Sequence, residues 1–205
     1  METPSKDTAT SELLIQGAYH QAGLAHLEET AGKAEAFAKV QEELKQAFET
    51  RLAAEQVAAA ARARMLHVDV EADALLLALG DAVADADTAL HGVLFPAGME
   101  RVVGPVGAVQ TEAMKGILER FGKAEQPAAK ALREGWSAPL GEALSRYEDA
   151  IAQQGRAQSD LEKARSRETK AREAWFEAVK AHLAIIAEQY PDSDFTRALF
   201  FPAGS

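Results

Sequence analysis

The sequence predicts an all-α protein: an elongated helical bundle of two short and two long helices, internally duplicated. Three observations carry that expectation. Alanine makes up roughly a fifth of the 205 residues, about twice or more an ordinary share. It has the highest helix propensity and a side chain small enough for close helix approach. Apolar residues recur at three- and four-residue spacing, while alternating Val/Ile/Thr runs never exceed about four residues. Finally, Phe-Pro-Ala-Gly occurs twice, at Phe95–Gly98 and at Phe201–Gly204.

Residues 1–10 are polar, contain Pro4 and read as a loose tail. From Ser11, a first short helix carries Leu13, Gly17, His20, Leu24 and Leu27 on one face, with Gly32 as the expected break. A long helix follows, striped by Phe37, Val40, Leu44, Phe48 and Leu52. Its weakest stretch is His67–Asp73, with two β-branched residues and Asp69 as a possible new N-cap. The stripe resumes at Leu75, Leu76, Leu79, Val83 and Leu90, then stops at the first Phe-Pro-Ala-Gly. Pro96 cannot continue a helix interior, and Gly98 can take the left-handed conformation that ends one. Phe95 is expected to pack back onto the last turn.

Pro105 and Gly107 restart the chain for a short helix lined by Val109, Met114, Ile117, Leu118 and Phe121, with Gly122 and Pro127 interrupting it. Ser137 reads as the N-cap of a second long helix with Pro139 in its first turn, where the missing N–H costs little. That helix meets no breaker but Gly155 until "YPDSDF". Its heptad-like positions are apolar at both ends, from Leu140 to Ile151 and from Trp175 to Ile186, but polar between. The interrupted seam fits a multi-helix bundle better than a strict two-stranded coiled coil, with Ala157, Ala164 and Ala171 as a close contact face. Each half therefore reads as short helix, long helix, Phe-Pro-Ala-Gly. The expected organisation is a tail at 1–10 and repeats at 11–98 and 99–205, packed as one domain.

"LFPAGMERVVGPVGAVQ", between two alanine-rich helices, resembles a recurring pattern in uncharacterised bacterial helical-bundle proteins, whose long alanine-rich helices end in a Phe-Pro-x-Gly turn. The resemblance implies a fold and no chemistry.

A net charge of −10 argues against nucleic acid, which needs a surplus of Lys and Arg. No cysteine is present, which excludes disulfides and thiolate chemistry and fits a reducing compartment. The start lacks the order of a signal peptide, and no apolar run approaches the roughly 18 residues of a membrane span. The expectation is a cytoplasmic protein without membrane insertion. Residues 1–98 hold 7 Lys+Arg against 16 Asp+Glu, whereas 99–205 hold 15 against 16. Lys163, Arg165, Arg167, Lys170 and Arg172 form a basic stretch; Asp69, Glu71, Asp73, Asp81, Asp85 and Asp87 form an acidic one. Each reads first as a solvated face and second as a docking surface for the other, within or between chains. The stripes Leu75, Leu76, Leu79 and Val83, and Trp175 and Val179, are expected to stay partly uncovered by the short helices, which with such docking favours a homo-oligomer or a protein partner, with Trp175 as an anchor.

Chemical signatures are fragmentary. Asp87 and His91, like His67 and Glu71, are two-ligand fragments one turn apart, short of the Glu-x-x-His pairs that di-metal bundles require. Asp81 and Asp85 resemble one Asp-x-x-x-Asp element of the helical isoprenoid synthases, which imply bound magnesium-diphosphate, but no second element occurs. There is no serine elbow and no phosphate loop. His20 and His182 sit on apolar stripes, the pattern of core histidines. The sequence thus favours a non-enzymatic, self-associating interaction protein without cofactor. The competing readings are a ligand- or metal-binding interior near His20, His182 and Trp175, and a magnesium-diphosphate enzyme around Asp81 and Asp85.

Overall fold

The computed structural model describes residues 4–190, of which 89% are helical with no strand. The second Phe-Pro-Ala-Gly, with Phe201, lies outside the described residues. Six helices follow in order among them: α1 (Thr10–His26), α2 (Glu28–Ala86), α3 (Thr88–Leu94), α4 (Glu100–Val103), α5 (Ala108–Lys123) and α6 (Pro127–Gln189). Two are long, at 59 and 63 residues, and four are short. The chain divides into two compact units. One contains residues up to Gln56 and from Asp160; the other is Val57–Ser159. Each unit draws on both halves of the sequence, and α2 and α6 run through both.

The first break falls at Leu27, not at Gly32, which is helical. The Thr30 hydroxyl donates to the carbonyls of Leu24 (2.9 Å) and Leu27 (3.3 Å), satisfying acceptors that the end of α1 leaves open. α2 continues without interruption through His67–Asp73, so Asp69 is not a cap. It ends instead at Asp87, whose side chain accepts from the backbone N–H groups of Ala89 (2.9 Å) and Leu90 (3.2 Å) and opens α3. α3 stops as expected. Phe95 is buried, its N–H bonds the His91 carbonyl, its ring lies 5.0 Å from the His91 ring, and Gly98 has φ +83°.

Gly107, at φ +78°, precedes α5. Two arginines from later helices close earlier helix ends: Arg120 Nε donates to the Leu94 carbonyl, and Arg133 donates to the carbonyls of Phe121 and Ala124. α6 begins at Pro127, ten residues before the expected cap at Ser137, and continues through Pro139 and Gly155. Pro127 takes the first-turn place expected of Pro139, while Pro139 costs one interior hydrogen bond that packing of Leu140 and Ala143 offsets.

In the first unit, Leu13, Leu24, Phe37, Leu44, Trp175, Val179 and Ile186 form the core. Gly17 lets α1 approach α2, since a Cβ there would lie 2.0 Å from Gln41 Oε1. The Gln41 amide donates to the Leu14 carbonyl (2.6 Å) and accepts from Trp175 Nε1 (2.8 Å), tying α1, α2 and α6 together. In the second unit, Met65 to Val83 on α2 pack with Leu90, Leu94, Phe95, Met114, Ile117, Phe121, Leu140 and Tyr147. Leu76, Leu79 and Val83 are therefore wholly inside, as are Trp175 and nearly all of Val179. The expectation that these stripes stay partly uncovered and seek a partner is corrected: the chain covers them itself.

Candidate functional site

The basic stretch of α6 separates into two kinds of residue. Lys163 pairs with Asp160 (2.9 Å) and Arg165 with Glu55 (3.4 Å), while Arg167 and Lys170 are exposed. Arg172 faces inward along the same unit. Its guanidinium donates to Thr10 Oγ1 (2.7 Å) and to the carbonyls of Lys6 (2.7 Å) and Thr8 (2.8 Å). Between them sits Glu168, buried, accepting from the Thr10 hydroxyl at 2.5 Å and paired with Arg51 Nε. Buried charge of this kind persists only when paired. Part of the predicted interaction surface is thus a latch that fixes the start of α1 to α6. Trp175 belongs to the core of that unit, 6.1 Å from the Phe37 ring.

The acidic stretch is also engaged within its own unit. Glu71 lies 3.3 Å from Arg146 and 3.1 Å from His67. Asp69 and Asp73 enter a polar network that sequence reasoning missed. The Tyr147 hydroxyl accepts from the Gly107 N–H (3.0 Å), and its single proton lies between Asp69 Oδ1 (2.5 Å) and Gln110 Oε1 (2.8 Å). Gln110 Nε2 completes the set by donating to Asp73 (2.6 Å). Tyr147 and Gln110 are fully buried. Burial, then the Asp69 hydrogen bond, pushes the Tyr147 phenol up, so it remains a donor. Burial likewise holds the Asp73 carboxyl above its usual range, against the lowering effect of Gln110. A signal existed: Gln110 falls on the same helical stripe as Met114, Ile117 and Phe121, and a polar residue on a core stripe needs a buried partner.

Of the metal candidates, Asp81 and Asp85 are exposed on α2, Asp87 is consumed as the cap of α3, and His91 packs on Phe95. Among the described residues, no three His, Cys, Asp or Glu side chains are placed to share a cation. His20 and His182 do come together. Their rings stack 5.4 Å apart, with His20 Nε2 3.2 Å from His182 Nδ1, and the Phe37 ring stands edge-on to both. Burial, aided by the Lys33 charge, holds the His182 imidazole below its ordinary value. The sequence reading placed both histidines, with Trp175, near one interior because each lies on an apolar stripe, while the ring contact itself spans 162 residues and has no local signal.

Several large apolar side chains are also left in water. Ile15 and Tyr19 on α1, Leu66, Val70 and Leu77 on α2, and Val106 and Val109 around the start of α5 are all exposed. Among the described residues, no helix is long and apolar enough to cross a membrane. No family model matches the chain, and comparison with curated proteins and with solved structures finds no match.

Proposed function

We propose that this chain is a non-enzymatic structural or protein–protein interaction bundle that associates with itself. The observation that carries the reading is the placement of large apolar side chains together on the outside of α2, with Leu66 58% and Val70 67% exposed. Exposed apolar side chains grouped on one surface mark interaction sites more often than scattered ones do. Polar groups that could do chemistry are meanwhile occupied structurally: Asp87 caps, Arg172 latches, and Tyr147 closes a network. A cysteine-free chain of this kind suits a reducing cytoplasm. The internal duplication belongs to the same reading, with α2 and α6 as the corresponding long helices.

Light scattering tests the reading. The full chain is expected to exceed monomer mass at micromolar concentration, and a monomer at hundreds of micromolar, with no partner in native extracts, would exclude it. The His20–His182 contact favours a second reading, in which the interior of the first unit holds a small ligand or metal. Elemental analysis and native mass spectrometry of protein from its own cells separate the two, since only the second leaves a bound species on a monomer.

A further inference from the structure

The exposed apolar residues of α2 within the second unit are ordered. Ala59, Ala63, Leu66, Val70, Ala74 and Leu77 succeed one another at intervals of four and three residues, and every one is exposed. At 100° per residue these six lie on one stripe, on the side of α2 turned away from the core-facing Met65, Val68, Ala72, Leu76 and Leu79. A helix that is apolar on two opposite faces has a partner for each, because apolar seams with three-four spacing are the surface that helices present to other helices. Among the described contacts, one face meets this chain's own core and the other meets nothing.

The charges beside the seam specify its partner. Arg62 and Arg64 flank its first half, Glu71 and Asp73 its second. The pairs Arg62/Asp73 and Arg64/Glu71 are each centred between residues 67 and 68, and the apolar pairs Leu66/Val70 and Ala59/Leu77 are centred on 68. Each charged pair also lies on one flank of the seam. A second helix reversed about that midpoint, with the same sequence, therefore sets Arg62 toward Asp73 and Arg64 toward Glu71 on the flanks, with Leu66 opposite Val70 and Ala59 opposite Leu77 in the seam. A parallel copy would place Arg62 on Arg62 and Glu71 on Glu71. Arg62 and Arg64 are exposed, the Glu71 side chain keeps 42% of its surface despite its contacts with Arg146 and His67, and Asp73 is half-buried with one oxygen, Oδ1, accepting from Gln110.

We propose that residues 59–77 of α2 form an antiparallel, two-fold helix–helix interface with a second copy of this chain, its axis passing beside His67. The proposal rests on the self-association read above and names the surface responsible. The seam is about 27 Å long and about 10 Å wide, so each copy covers only on the order of 300 Å² in projection. At roughly 600 Å² for the two copies together this is below the ~1,000 Å² of stable specific interfaces, so the proposed dimer is a weak, transient and concentration-dependent one.

Because the chain has no cysteine, introduced thiols report directly. The full chain is expected to shift from monomer to dimer in sedimentation velocity between about 1 and about 500 µM. Leu66→Glu combined with Val70→Glu should weaken the dimer by at least about tenfold without changing helicity, since both side chains are in water in the monomer. Under mild oxidation, a mixture of Ala59→Cys and Leu77→Cys chains should give a mixed disulfide, and each variant alone should give much less. Self-linkage of Ala59→Cys as strong as the mixed product would establish a parallel pair and overturn the proposal. Association that survives Leu66→Glu/Val70→Glu but is abolished by Arg165→Glu/Arg167→Glu would likewise overturn it, while leaving the wider self-association reading intact. A chain monomeric throughout the range would remove both.

Discussion

Removing one oxygen atom tests the polar network of the second unit. Tyr147→Phe keeps the buried ring among Val68, Ala72, Leu76 and Met114 and deletes only the hydroxyl. Three groups then lose a partner: the Gly107 N–H at 3.0 Å, Asp69 at 2.5 Å and Gln110 Oε1 at 2.8 Å. They are not equivalent. Gly107 and Asp69 are half-buried and can recover water, whereas Gln110 is fully buried and cannot. Leaving a buried polar group unsatisfied costs about 1–3 kcal/mol, and a hydrogen bond to a charged group contributes about 1.5–3 kcal/mol before rehydration offsets it. The expected loss is about 2–3 kcal/mol, which for a chain of this length lowers Tm by about 4–12 °C. Circular dichroism at 222 nm during heating measures it, and amide exchange at Gly107 should accelerate. The same variant gives a pH signature. The phenol's folded pKa lies above its unfolded value of 10.0, so its contribution is fully present below pH 10 and is lost as pH rises further. Wild-type stability should therefore fall more steeply above pH 10 than that of Tyr147→Phe. A melting shift under about 1 °C with identical alkaline profiles would refute the view that this oxygen organises α2, α5 and α6 of the second unit.

Three further perturbations probe the first unit. Gly17→Ala places a methyl where Gln41 Oε1 stands and should cost about 1–3 kcal/mol, read by urea denaturation; an unchanged midpoint would mean that the Gln41 amide is not held there. Because the His182 folded pKa is lowered from 6.5, its neutral form contributes stability that is present above pH 6.5 and lost as pH falls through the folded pKa, so melting temperature should drop on mild acidification and drop less in His182→Gln. Arg172→Ala should raise amide exchange and proteolysis of residues 6–10 while leaving the remainder protected, and equal protection in both proteins would deny the latch.

Much of the helix plan was legible because it is written locally. Gly98 and Gly107 take positive φ, a demand on backbone that the residue type itself reveals, and the stop at Phe95 and the start of α5 fell where they were expected. Breaks made by side chains were harder. At Leu27 neither proline nor glycine is present, and the turn depends on Thr30 reaching back across it. Pro139 misled for the complementary reason: one proline costs an interior helix a few kcal/mol, and 63 residues of packing override it. Arg120 and Arg133 close α3 and α5 from a distance of 26 and 12 residues, respectively, which no local rule could assign.

The exposed stripe of α2 was not read from the sequence. Periodicity shows that α2 is apolar on more than one side; it does not say which side turns inward. Leu76, Leu79 and Val83 form the heavier stripe and were expected to seek a partner, yet all three are enclosed, because the large side chains Met114, Ile117, Phe121 and Tyr147 converge on them from α5 and α6. The lighter stripe, with three alanines among six residues, remains in water. That ordering has a physical logic. The heavier stripe buries more apolar area per residue and so anchors the monomer, at about 25 cal/mol per Å². The lighter stripe offers too little area to hold a fold, and under the proposed pairing it serves a reversible partner. It also permits closer helix approach, since alanine keeps backbones near, and so gains packing where it lacks bulk. The basic and acidic stretches divide residue by residue: Lys163 and Arg165 pair with Asp160 and Glu55, and Asp69, Glu71 and Asp73 engage Tyr147, Arg146 and Gln110, while Arg167, Lys170, Asp81 and Asp85 stay exposed, as a solvated face would leave them. In the proposed pairing a reversed copy sets Arg62 and Arg64 toward Asp73 and Glu71, adding to the contacts that Glu71 already makes with Arg146 and Asp73 with Gln110 inside the chain, so complementarity there supplements the in-chain partners and selects the orientation of the second copy.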